Sequence, residues 1–206
     1  MNISLDGRNV WQAGNSVIEY AIDNDNGSRS YSQFRYNYNA GFLNDLLNTA
    51  VDNMMAAQYN NVFQETFGNL TSTSLASHEL FSSALSTSPP VNTQFSDNRL
   101  SQDLRMVART IAARTNLGMS RQTFFVTLDG FDHHDELING HAALMQRLSV
   151  ALGEFYTALE ELNMTDCVTT FTASDFARTL TSNGNGSDHA WGGNQIVMGG
   201  AVNGKK

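Results

Sequence analysis

Apolar positions recur along this chain at two periods, and the switches between them mark out its elements. From Phe42 to Phe63 the residues Leu43, Leu46, Leu47, Ala50, Val51, Met54 and Val62 fall at helical spacing, which predicts one long amphipathic helix. A shorter helix is predicted over residues 75–85. Leu100, Leu104, Val107 and Ile111 form a third stripe, ending near Arg114 before Asn116 and Gly118 break it. Leu137, His141, Leu144, Leu148, Leu152, Phe155, Leu159 and Leu162 predict a fourth and longer helix. Strand-like runs occupy residues 17–22, 31–36, 123–128 and 168–171. The first two flank Asn26-Gly27, the dipeptide of a tight hairpin turn.

Both prolines of the chain, Pro89 and Pro90, lie among Ser, Thr and Asn in residues 86–98, which read as a surface connection and a place for a boundary. The run 123–128, the helix 137–162 and the run 168–171 read as a strand–helix–strand unit. Such a unit implies parallel pairing with a right-handed crossover, hence an α/β fold in which a mostly parallel sheet is flanked by helices. In such sheets ligands gather beyond the carboxyl ends of the strands. Acidic and imidazole residues stand at both predicted ends: Asp129, Asp132 and His134 after the first strand, and Asp175 after the second.

At 206 residues the chain suits one domain or most of one. Its net charge of -8 repels phosphate backbones, so nucleic acid is not an expected partner. Only 16% of residues are charged, which leaves a polar but lightly charged surface. A single cysteine, Cys167, excludes an internal disulfide and a thiolate zinc cluster; its apolar neighbours place it in the core. No run reaches the ~18 apolar residues of a membrane span, and residues 1–10 lack the pattern of an export signal.

Any metal must therefore be held by carboxylate and imidazole. Asp132 and His134 are two residues apart, so in an extended segment their side chains leave on one side and can share a cation; the alternative is a polar loop facing water. A second pair, Asp188-His189, sits in a segment where seven of the chain's 16 glycines lie between Gly184 and Gly204. Glycine permits close backbone approach to a ligand, or simply a flexible loop. With Asp175 these residues offer the oxygen and nitrogen ligands that zinc or manganese accepts. Other candidates are weaker. Asp23-Asn24-Asp25-Asn26-Gly27 has its glycine one position early for a calcium loop and lacks the closing Glu, and Gly118-Met119-Ser120-Arg121-Gln122 lacks the last glycine of a serine-hydrolase turn.

Gly130-Phe131-Asp132-His133-His134, Phe171-Thr172-Ala173-Ser174-Asp175-Phe176-Ala177-Arg178, Ser187-Asp188-His189 and Met198-Gly199-Gly200-Ala201-Val202-Asn203-Gly204 occur in that order. Together they resemble the bacterial family called domain of unknown function 1501, of the alkaline phosphatase and sulfatase superfamily. Asn2-Ile3-Ser4-Leu5-Asp6-Gly7 and Trp11-Gln12-Ala13-Gly14 resemble its middle section, so the similarity spans nearly the whole chain. The resemblance implies an alkaline-phosphatase-like sheet, incomplete at both ends, with two divalent cations (zinc, manganese or calcium) above it. Asp132, His134 and His189, with Asp188 beside them, would hold one cation and Asp175 the other. Arg178 would contact the substrate anion, since a guanidinium grips a tetrahedral oxyanion with two hydrogen bonds; the alternative is a salt bridge to a neighbouring acid.

The sequence departs from the family pattern at His133, often a hydroxyl residue, at Asp175, often Glu, and at Ala177, often Gly. The early strand with a metal-binding Asp and a Ser or Thr nucleophile has no match here, which reads as a fragment. The implied activity is hydrolysis of a small anionic phosphate or sulfate ester in an exported or periplasmic protein. The competing class is a noncatalytic exported surface or scaffold protein that keeps the fold.

Overall fold

The computed structural model describes residues 1–15, 19–28 and 41–204, arranged in two compact units. One comprises Met1–Ser88 and Ala113–Thr123, the other Pro89–Ala112 and Phe124–Lys206.

In the first unit, β1 (Asn2–Ser4) pairs in parallel with β2 (Tyr20–Ala21), setting Ile3 opposite Tyr20 and Ser4 opposite Ala21. On the other edge of β1 lies β3 (Thr123–Phe125), whose first residue belongs to this unit. Gln12 ties these strands together: its Nε2 donates to the carbonyl of Ile3 (3.0 Å) and to the carbonyl and hydroxyl of Thr123 (3.2 and 3.1 Å). Two helices follow, α1 (Gly41–Ala56) and α2 (Val62–Thr87). The single helix predicted across this region is interrupted because the Asn61 side chain accepts hydrogen bonds from the amides of Phe63 and Gln64 and starts a new helix. The helix predicted over residues 75–85 is the later part of α2. Phe81 and Ala84 of α2 are buried, as are Ile3, Leu5, Ile22 and Leu117. Tyr20 meets the Phe81 ring at 5.5 Å.

Of the predicted hairpin, residues 29–36 and 16–18 lie outside the described residues. Within the described part, residues 20–21 pair with β1, and Asp23 donates its amide to the Gly27 carbonyl across the turn.

The second unit is built on α3 (Arg99–Ala112), which packs against α4 (Leu137–Glu161). The stripe read from the sequence is the buried one in α3: Leu100, Leu104, Val107 and Ile111 are each at most 6% exposed. In α4, Leu144, Ala151, Phe155, Ala158 and Leu159 are buried. Residues 89–98 run without helix or strand and are fastened to α4 by carboxylates. Glu161 accepts from the amides and side chains of Asn92 and Thr93, and Glu154 accepts from the amide and hydroxyl of Ser96. Four donors on one carboxylate pull the Glu161 pKa down to about 2, the Asn92 amide contributing most.

Two short ribbons complete this unit: β4 (Thr170–Phe171) with β7 (Val197–Met198), and β5 (Ala177–Arg178) with β6 (His189–Ala190), both antiparallel. This corrects the expected architecture. No mostly parallel sheet flanked by helices forms among the described residues, which carry one three-stranded sheet and these two ribbons. The predicted strand–helix–strand unit is absent because β4 takes β7 as its antiparallel partner instead of lying parallel to β3. A run of β-forming residues sets its extended backbone but not its partner. Cys167 is likewise not in the core; it lies exposed in a short 3₁₀ turn, Thr165–Cys167.

Candidate metal centre

Three elements of the second unit bring the chemistry together. The chain leaves β3 and turns at Gly130, whose φ of 102° is a backbone conformation that L side chains rarely adopt. The segment beyond it is curled, not extended as expected: the amides of His133 and His134 donate to the carbonyls of Phe131 and Asp132, two residues back. This curl still places His134 Nε2 3.0 Å from Asp132 Oδ1. The second element is the loop 182–188, docked on the start of α4, where the Leu137 amide donates to the Asn185 carbonyl. That bond satisfies a helix-terminal amide that no side chain caps. Gly186 lies against the backbone of His134 so closely that a Cβ there would sit 2.2 Å from its carbonyl oxygen. The third element is the β5–β6 ribbon, whose register sets Arg178 directly opposite His189.

The first and third meet at Asp132, and the second backs His134. Asp132 Oδ1 is 2.7 Å from His189 Nε2, 3.0 Å from His134 Nε2 and 2.8 Å from an Arg178 NH2 nitrogen. One ligand atom from each of Asp132, His134 and His189 falls within 4.8 Å of the other two. His134 is held from behind as well, its Nδ1 lying 3.2 Å from Asp188 Oδ1, which also accepts from the Asn183 side chain at 3.2 Å. The His189 ring lies parallel to Phe176 at 4.1 Å and 4.9 Å from the His134 ring. The hydrogen bond from His189, then that from Arg178 and the charge of His134, hold the Asp132 carboxyl below its ordinary pKa. Asp188 is lowered too, first by the Asn183 amide and then by His134.

Of the residues predicted for a site, Asp132, His134 and His189 therefore form one group. Asp188 stands behind His134, supporting its second nitrogen, and is not among the three. Asp175 is exposed in the turn before β5 and is not a member of that group. Arg178 is turned inward, its side chain 16% exposed. His133 packs on Gly140 and edge-on to His141. Phe176 was not picked out from the sequence. Its signal is strand alternation: it stands two residues before Arg178, and both side chains reach the His189 side of the ribbon.

The donor set suits a cation. A carboxylate oxygen and two imidazole nitrogens are ligands zinc takes in sites that leave a fourth position open. Ligands about 2.1 Å from a tetrahedral ion stand about 3.4 Å apart, so contacts of 2.7 and 3.0 Å need open by only about half an ångström. No curated protein and no solved structure matches the chain. No helix among the described residues is long and apolar enough to cross a membrane. A family does match, described as a protein of unknown function (DUF1501), over residues 5–205, in which the order of motifs read from the sequence and the side chains gathered at Asp132 both fall; the chain belongs to the DUF1501 family.

Proposed function

We propose that this protein is a metal-dependent hydrolase of small phosphate or sulfate esters, acting from a cation held by Asp132, His134 and His189. What carries the reading is the convergence on one carboxylate oxygen of two imidazoles, one of them 57 residues away in sequence. A divalent ion there would act as a Lewis acid toward an ester oxygen. Asp188 orients His134 by accepting from its second nitrogen, the arrangement that fixes the tautomer of metal-binding histidines. Phe176 holds the His189 ring in plane by stacking. Asp175 is the residue we assign to a second cation. Kinship to the alkaline phosphatase and sulfatase superfamily, and an exported or periplasmic location, belong to the same proposal and rest on the order of motifs.

The exposure of the three ligands, 57%, 50% and 47%, favours a second reading: a noncatalytic exported surface or scaffold protein with a structural cation. Titration with zinc, manganese and calcium, followed by assay with aryl phosphate and aryl sulfate esters, separates the two. Metal uptake that Asp132→Asn and His189→Ala abolish, with turnover that follows metal content, is the expected result. Uptake without turnover leaves the scaffold reading, and no uptake by the wild type removes the hydrolase reading.

A further inference from the structure

The guanidinium of Arg178 has five N–H donors, and an oxyanion gripped by two hydrogen bonds needs two neighbouring ones free. Both hydrogens of NH2 are engaged, one on the Phe131 carbonyl and one on Asp132 Oδ1, each at 2.8 Å. NH1 donates to the Ser187 carbonyl. Nε is buried. Both bidentate edges of a guanidinium, NH1–NH2 and Nε–NH2, therefore lack a free NH2 hydrogen, and Nε, which has no hydrogen-bond partner, is itself out of reach of solvent. Neither edge can take a bidentate anion without dismantling the contacts already made.

Those contacts join the pieces of the metal group. Phe131 and Asp132 belong to the curled segment, Ser187 to the loop that carries Asp188, and Arg178 itself to the strand paired with His189. The guanidinium also lies 5.1 Å from the centre of the Phe176 ring on which His189 stacks. We infer that Arg178 is a positioning residue: it fixes the Asp132 carboxylate and locks the segments bearing Asp132, Asp188 and His189 into one arrangement, and it does not bind the substrate anion. This rests on the metal reading of the same site and assigns Arg178 a different part in it from the one its motif position implies. Lysine would keep the charge but not the planar fork that reaches three acceptors.

The test compares wild type, Arg178→Lys and Arg178→Met by cobalt(II) titration read in the visible spectrum. Inorganic phosphate is then titrated into the metal-loaded proteins, and hydrogen exchange is measured on the metal-free ones. The amides of His133 and Ser187, which donate to Phe131 and His133, report the tie directly. In Arg178→Met, cobalt should bind about 10–100-fold more weakly with an altered spectrum. Exchange at both amides should rise, phosphate affinity of the loaded protein should hold, and added methylguanidine should restore part of the cobalt affinity. Unchanged cobalt affinity and exchange, with phosphate binding reduced tenfold or more, would overturn the inference in favour of anion contact. A wild type that takes up no cobalt defeats the metal reading, and the exchange comparison still decides whether Arg178 ties the segments.

Discussion

Replacing Gly186 with alanine tests how the proposed metal group is assembled. A Cβ at this position would lie 2.2 Å from the His134 carbonyl oxygen, 2.3 Å from its carbon and 2.7 Å from the Asp135 nitrogen. These are backbone atoms and cannot rotate away, and ordinary carbon contacts need about 3.5–4 Å. The two segments must therefore part by more than about 1 Å. The bonds at risk are those from the Ser187 amide to the His133 carbonyl, from the Asn183 side chain to the His134 carbonyl, and from the Leu137 amide to the Asn185 carbonyl. Overpacking of this kind costs about 1–3 kcal/mol, and in a chain of this size each kcal/mol lowers Tm by about 2–4 °C. The larger effect should fall on the proposed cation site. Parting the loops pulls Asp188 from His134 and His189 from Asp132, so metal affinity should drop on the order of 100-fold, the upper end of the 10–100-fold typical of losing one supporting contact. Gly153→Ala is the control: it lies in α4 with nothing within 4 Å of a new Cβ, so it should stabilise by about 0.5–1 kcal/mol and leave metal binding untouched. Calorimetric titration with zinc and thermal melts read both quantities. Wild-type affinity in Gly186→Ala would refute the argument that close packing of these loops builds the site.

Three further outcomes are expected. The pKa of Glu161 is depressed from 4.5 to about 2, so its contribution to stability is present above about pH 4.5 and is lost as pH falls toward 2. Because the carboxylate is exposed, that contribution should be about 1 kcal/mol after solvent screening, and denaturant melts of Glu161→Gln should show the smaller acid dependence. Phe155, 2% exposed in the α3–α4 core, should cost about 3–5 kcal/mol as Phe155→Ala, measured by chemical denaturation; a loss under 1 kcal/mol would contradict the burial. Asn61→Ala removes the acceptor for the Phe63 and Gln64 amides and should cost about 1 kcal/mol, seen as loss of helical circular dichroism at the start of α2.

The helices of the second unit were legible because each carries its burial as a stripe. Leu100, Leu104, Val107 and Ile111 of α3, and Leu144, Phe155 and Leu159 of α4, mark a face that only a 3.6-residue period aligns. In the first unit the stripe ran on through the break, since Asn61 interrupts the helix by hydrogen bonding and not by a change of hydrophobicity. Strand pairing was not legible. The two-residue β4 finds its partner at Val197–Met198, inside the glycine-rich stretch that composition reads as loop, and nothing in residues 168–171 names that partner. Asp132, His134 and His189 stood out through residue type and motif order. The inward turn of Arg178 did not, because it depends on where the carbonyls of Phe131 and Ser187 lie, and carbonyls carry no mark in a sequence.

The first unit is assembled from two stretches of chain, with Thr123 brought beside Ile3 through the side chain of Gln12. During synthesis β1 precedes β3, so their pairing waits until more than a hundred further residues have left the ribosome. Closing so long a loop before any contact repays it makes this step slow. A polypeptide ending at residue 88 should accordingly expose a bare strand edge and be prone to pair with other chains, whereas one that continues through residue 123 carries its own cover.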